Sequence, residues 1–174
     1  MTDEIDKIRI YGDPVLRKPS EKVTEFDDSL VELEDRLVES MFFHENGIGL
    51  SAPQIGESRK ILVIDLSFGE NTGKILTMVN PEIVETEGEC TLEEGCLSVP
   101  GIFETVVRPV KIFARYQDID GKEREIETGD FLARVIQHEA DHLEGILFVD
   151  RLSTLKRKLL SKKLRTLAKG GVVG

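Results

Sequence analysis

The sequence predicts an α+β domain with antiparallel or mixed β-sheet and a helix near its C-terminal end. Three observations carry this reading. Apolar residues recur at helical spacing over residues 29–45, 130–144 and 152–167. Between the first two segments lie short runs rich in β-branched and aromatic residues, bounded by turn residues. Helices therefore flank a block of strands instead of alternating with them, which argues against βαβ repeats. At 174 residues the chain fits one domain, able to bury roughly 70% of its unfolded surface.

The first helix is read from Ser29 to about residue 45, with Ser29 and Glu32 as a capping box and Leu30, Leu33, Leu37 and Met41 along one stripe. Asn46-Gly47 ends it. Strands are read over residues 60–65, 75–79, 82–86, 110–116 and 123–127, with Asp120-Gly121 as a hairpin signal between the last two. A second helix over residues 130–144 stops at Gly145 and offers Leu132, Val135, Ile136 and Leu143 for packing. On it, Arg134 is expected to lay its stem over apolar surface and keep its charge in water, in preference to lining the cleft rim and meeting substrate carbonyls. The last helix carries Leu152, Leu155, Leu159, Leu160, Leu164 and Leu167, with Ser153 or Thr154 as its cap.

Charge is unevenly spread. Residues 151–174 hold eight basic and no acidic residues, so residues 1–150 hold 15 basic against 33 acidic, a net −18. Residues 1–150 are therefore read as one catalytic domain, and 151–174 as a basic amphipathic helix and tail. Such a helix can dock on its own acidic domain, on RNA or on an anionic surface; specific DNA binding is not expected. No apolar run approaches the ~20 residues of a membrane span. The acidic start Met1-Thr2-Asp3-Glu4 has no signal core, so a cytoplasmic location is expected. Cys90 and Cys96 are too few for a disulfide framework.

The chemistry concentrates in three segments. Gln137-His138-Glu139-Ala140-Asp141-His142 places two imidazoles four residues apart on one helix face beside a carboxylate, half of a metal site. Beyond Asp150 there is no Asp, Glu, His or Cys, and Glu144 and Asp150 lie too near the pair for a separate supporting helix, so the third ligand comes from upstream. His44, Cys90 and Cys96 are the candidates. Cys96 stands in Glu93-Glu94-Gly95-Cys96-Leu97-Ser98-Val99-Pro100-Gly101, which reads as a turn built around a reactive position. One thiolate and two imidazoles leave a tetrahedral position for water, the pattern of catalytic sites. Asn46-Gly47-Ile48-Gly49-Leu50-Ser51-Ala52-Pro53-Gln54 supplies close backbone approach and, in Gln54, an amide donor for an oxyanion. Glu139 suits a general base, and amide hydrolysis is the chemistry expected of such a set.

In order and spacing, these three segments resemble the signature motifs of the peptide deformylase family, as do Tyr11-Gly12-Asp13-Pro14-Val15-Leu16-Arg17 and Asn80-Pro81. Ser51 departs from the resemblance, since Ala is commoner there. The resemblance covers residues 8 to 150. It implies strands wrapped around a central helix holding both histidines, with Cys96, His138 and His142 as metal ligands. It also implies removal of formate from N-formylmethionyl peptides, whose methionine side chain would enter an apolar pocket beside His138, with Phe131 and Val135 as candidates for its wall. Gln54 and the Leu97 N–H would face the oxyanion; Gly47, Ile48, Gly49 and Leu97 would lie along the substrate backbone. The implied cofactor is one divalent ion, Fe(II) in the cell, with Zn, Ni or Co as isolated. A bacterial deformylase acts on nascent chains, so ribosome contact through the basic helix is a further expectation. The alternatives are a metallopeptidase of other specificity and a non-catalytic, metal-stapled binding module.

Overall fold

Ile61-Leu62-Val63-Ile64 is apolar at every position, which suits a strand covered on both faces. The computed structural model, which describes residues 5–44, 47–67, 69–70, 74–171 and 173, places it so. All four side chains of this strand, β2 (Ile61–Ile64), are buried. Side chains alternate along a strand. Ile61 and Val63 therefore join the cluster formed by helix α1 (Asp28–Phe43), while Leu62 and Ile64 join that of helix α2 (Asp130–Leu143). β2 lies in a five-stranded sheet with β1 (Gly49–Ser51), β3 (Leu76–Glu87), β6 (Lys111–Gln117) and β7 (Glu123–Thr128), in the order β1-β2-β3-β6-β7. Every neighbouring pair is antiparallel. A separate antiparallel hairpin joins β4 (Cys90–Cys96) to β5 (Val99–Arg108). Helix α3 (Thr154–Ala168) closes the order. The expected α+β architecture, with antiparallel sheets and a C-terminal helix, is the one observed.

Local chemistry moves several expected boundaries. Helix α1 is capped by Asp27, whose carboxylate accepts from the Leu30 N–H at 3.2 Å, while the Ser29 hydroxyl donates to that same carboxylate at 2.6 Å. Asp27, not Ser29, is the cap. Residues 45 and 46, where the helix was expected to end, lie outside the described residues. The strands expected at 75–79 and 82–86 are one 12-residue strand, β3. Asn80 takes a positive φ of 51° at a register shift, so the strand bulges there instead of ending, and Pro81 is accommodated without a ladder N–H. The segment over residues 93–101 is not an extended turn. Its two ends belong to β4 and β5, and Leu97-Ser98 alone joins them, with Cys96 paired to Val99. Gly95 suggested a turn but lies within β4, against the ring of Phe103.

Helix α2 ends as expected, at Gly145, whose φ of +74° suits glycine and whose α-hydrogen faces the Arg17 carbonyl too closely for a Cβ. A third apolar cluster joins Val99, Ile102 and Val106 of β5 to Phe148, Leu152, Leu164 and Leu167. Ser153 caps α3, accepting from the Lys156 N–H at 3.2 Å. Leu155 and Leu159, expected on the packed stripe, are 68% and 74% exposed. Leu164 and Leu167 turn the other way, and a 15-residue helix against one hairpin buries a narrower stripe than all six leucines span. Among the described residues, no helix is long and apolar enough to cross a membrane.

Candidate active site

Helical spacing sets the two imidazoles side by side: the rings of His138 and His142 on α2 lie 5.1 Å apart between centroids. The last residue of β4 brings Cys96 to them, with Sγ 3.4 Å from His142 Nε2. One ligand atom from each of the three residues lies within 4.8 Å of the other two. Sulfur at about 2.3 Å and nitrogen at about 2.0–2.1 Å from one ion in tetrahedral geometry would be about 3.5 Å apart, so the donors fit a divalent cation. Cys90 and His44, the other candidates, are not in the cluster. Cys90 Sγ instead accepts from Arg134 Nη2 at 3.3 Å, and His44 lines the adjoining cavity. Three protein donors leave one tetrahedral position to a non-protein ligand.

The histidines are held by a buried charge network. Glu94 Oε2 meets His138 Nδ1 at 2.9 Å, leaving Nε2 as the free coordinating nitrogen. Glu94 is gripped by Arg108 at 2.6 and 3.0 Å and by Arg134 at 2.7 Å. Arg108 also reaches Asp141 at 2.8 Å, and Arg151 donates to Asp141 at 2.6 Å. Burial works to raise the Glu94 pKa, but hydrogen bonds from His138 and Arg108 outweigh it and hold the carboxyl well below its usual range. Arg134 departs from the expectation. Its guanidinium is buried, donating to Glu94 and to the carbonyls of Val106 and Cys90. Its two Nη atoms are thus paired with protein acceptors, as a buried charge requires.

Glu139 lines the same cavity as His138 and Cys96. It is buried and its Oε2 has no hydrogen-bond partner among the described residues. Burial pushes its pKa up to about 7, against the pull of the His138 charge and the Ser51 hydroxyl. Burial likewise lowers His142 well below the ordinary imidazole value, and the neighbouring His138 charge lowers it further. Gly49 lies so close that a Cβ there would come 2.9 Å from Glu139 Oε1, which is the reason for glycine at this position. Gln54 Nε2 is 3.2 Å from Ser98 Oγ and 3.5 Å from Cys96 Sγ. A cavity of about 580 Å³ is lined by Gly47, Ile48, Gly49, Gln54, Cys96, Leu97, Phe131, Val135, His138 and Glu139. Val135 is buried and Phe131 is 47% exposed at the mouth. His142 lies behind this surface, 1% exposed.

Sequence reasoning missed the roles of Glu94, Arg108 and Asp141. Glu94 stands two residues before Cys96, and Asp141 lies between the ligands of α2, so acids next to ligands were the available signal.

A helix bearing His-Glu-x-x-His, a thiolate from a neighbouring hairpin and a buried carboxylate beside them define a metal-dependent hydrolase. A sequence profile described as Polypeptide deformylase matches residues 5–158. The peptide deformylase of Acidobacterium capsulatum is 48% identical over 161 residues, covering 92% of this chain and 94% of that protein. The crystal structure of a peptide deformylase from Legionella pneumophila superposes with a TM-score of 0.86 at 44% identity, over 95% of this chain and 96% of that one. A peptide deformylase from Plasmodium falciparum gives 0.89 at 38% identity, over 94% and 96%. The chain belongs to the polypeptide deformylase family.

Proposed function

We propose that this chain hydrolyses the formyl amide of N-formylmethionyl nascent peptides, releasing formate and a free α-amine. The observation that supports this most is the convergence of Cys96, His138, Glu139 and Gln54 on one cavity, with His142 completing the donor set behind it. When bound, a divalent cation on Cys96, His138 and His142 supplies the Lewis acidity that makes water a nucleophile near neutrality. Glu139 takes the proton that water gives up on adding to the formyl carbon. It returns that proton to the nitrogen as the C–N bond breaks. Gln54 Nε2 and the Leu97 N–H donate to the carbonyl oxygen as it gains charge. Gly47, Ile48, Gly49 and Leu97 run along the peptide backbone, and Phe131 with Val135 walls the methionine pocket.

Mixed thiolate and imidazole donors suit zinc, and imidazole accommodates iron or nickel. We assign Fe(II) as the ion in the cell, as the family resemblance implies. The reading divides the chain into a catalytic domain over residues 1–150 and a basic helical tail over 151–174, and places the enzyme in the bacterial cytoplasm. For the tail it assigns contact with the ribosome, supported by the exposed Arg157, Lys158, Lys162 and Lys163 beside the outward Leu155 and Leu159. Co-sedimentation lost on reversing those four charges supports that contact, and unchanged co-sedimentation removes it.

The test of the activity is formate release from formyl-Met-Ala-Ser against the acetyl analogue, under anaerobic conditions with metal measured on the same sample. Turnover of the formyl peptide alone is expected. Equal turnover of both, or cleavage at an internal bond, would replace this reading with a broader peptidase.

A further inference from the structure

Ser51 ends β1 and leads into a 3-10 turn, Ala52–Ile55, that carries Gln54. Ser-x-x-Gln is a capping pattern. Here Gln54 reaches back, and its Oε1 accepts from the Ser51 backbone N–H at 3.0 Å and from the Ser51 hydroxyl at 3.1 Å. Both lone pairs of that oxygen are thus occupied by donors. A flipped amide would set its NH2 against the Ser51 N–H, so Nε2 must face Ser98, Cys96 and the cleft. Ser51 is fully buried, so no water competes for its hydroxyl.

Two donors on an amide oxygen draw charge from the nitrogen through the conjugated C–N bond, making its N–H groups stronger donors. We propose that the Ser51 hydroxyl is a positioning residue for the deformylase reaction, acting through Gln54: it fixes and polarises the amide that donates to the developing oxyanion. This rests on the oxyanion role given to Gln54 above. The gain falls on the transition state, where the oxygen is most negative, so it is felt in kcat more than in KM. The hydroxyl also lies beside the Glu139 carboxylate, but it has one proton to give, and the experiment separates the two acceptors. Ser51→Ala leaves Gln54 Oε1 with the backbone N–H, so no buried polar atom is orphaned.

The experiment compares Ser51→Ala, Gln54→Ala and the double variant with the parent enzyme at matched metal content. Ser51→Ala is expected to lower kcat about five-fold, the factor of one net neutral hydrogen bond, with KM nearly unchanged. In the Gln54→Ala background the same substitution is expected to change kcat less than about two-fold, because the group it acts through is gone. In 15N spectra the Gln54 side-chain amide protons are expected to move upfield in Ser51→Ala. A full five-fold loss persisting without Gln54 would overturn the proposal and assign the effect to Glu139. An effect in KM alone, or unmoved amide signals, would also overturn it. Full kcat in Gln54→Ala would remove the oxyanion role itself along with this inference.

Discussion

Arg108 is the residue whose loss the charge network should feel most. Its side chain is 4% exposed, and it holds Glu94 at 2.6 and 3.0 Å and Asp141 at 2.8 Å. In Arg108→Met the volume is nearly kept, but two buried carboxylates lose a shared cation. Removing one partner of a buried pair costs about 3–5 kcal/mol. Glu94 keeps Arg134 at 2.7 Å and Asp141 keeps Arg151 at 2.6 Å, so the cost belongs at the low end, about 3 kcal/mol. For a chain of this size that lowers Tm by roughly 6–12 °C. The control is Arg17→Met, which breaks an ion pair with Asp150 whose side chains are 42% and 30% exposed and which should cost at most about 1 kcal/mol. Urea unfolding of both variants, each stripped of metal so that binding does not contribute, measures the difference. Equal stabilities within about 0.5 kcal/mol would refute the reasoning and make the network electrostatically idle. A second consequence is legible in metal titrations. Glu94 orients His138 and is itself oriented by Arg108, so affinity should fall about 10-fold or more.

Glu139→Ala is expected to keep stoichiometric metal while kcat falls about 10²–10⁴-fold; retention of turnover would end its assignment as base. For pH, burial outweighs the lowering by the His138 charge and the Ser51 hydroxyl and raises the Glu139 pKa to about 7. The base must be deprotonated, so kcat/KM should fall as pH drops through that value. A bound cation favours the carboxylate, which places this acid limb at or below about 7, and a limb above 7 would contradict it. On α3, Leu164→Ala is expected to cost about 2–5 kcal/mol as a buried truncation. Leu159→Ala should stay within about 0.5 kcal/mol because that side chain is 74% exposed, as denaturant melts would report.

Much of this could be read in the sequence, for reasons that differ by element. The unbroken apolar run of β2 and the helical spacing of His138 and His142 are local, so they survive in a one-dimensional string. The α1 cap was misplaced by two residues because Asp27 and Ser29 both suit the position, and a hydrogen bond between them decided it. The hairpin around Cys96 was hidden by Gly95 and Gly101, which suggest turns whether or not a strand passes through them. Glu94, Arg108, Asp141 and Arg134 were not legible as a network. Their contacts span 10 to 44 positions along the chain, and no periodicity links them. Arg134 was misjudged for the same reason, since its partners sit on β4 and β5. Ser51 was read only as a departure from the resemblance, although Ser-x-x-Gln was there to be read.

X-ray absorption at the metal edge of the fully loaded protein bears most directly on the site. One sulfur at about 2.3 Å, two imidazole nitrogens at about 2.0–2.1 Å and one further light atom are expected for a four-coordinate ion. Cys96→Ser should erase the sulfur shell and Cys90→Ser should leave it intact. A spectrum without sulfur, or with two, would mean that Cys96, His138 and His142 are not the set that holds the ion.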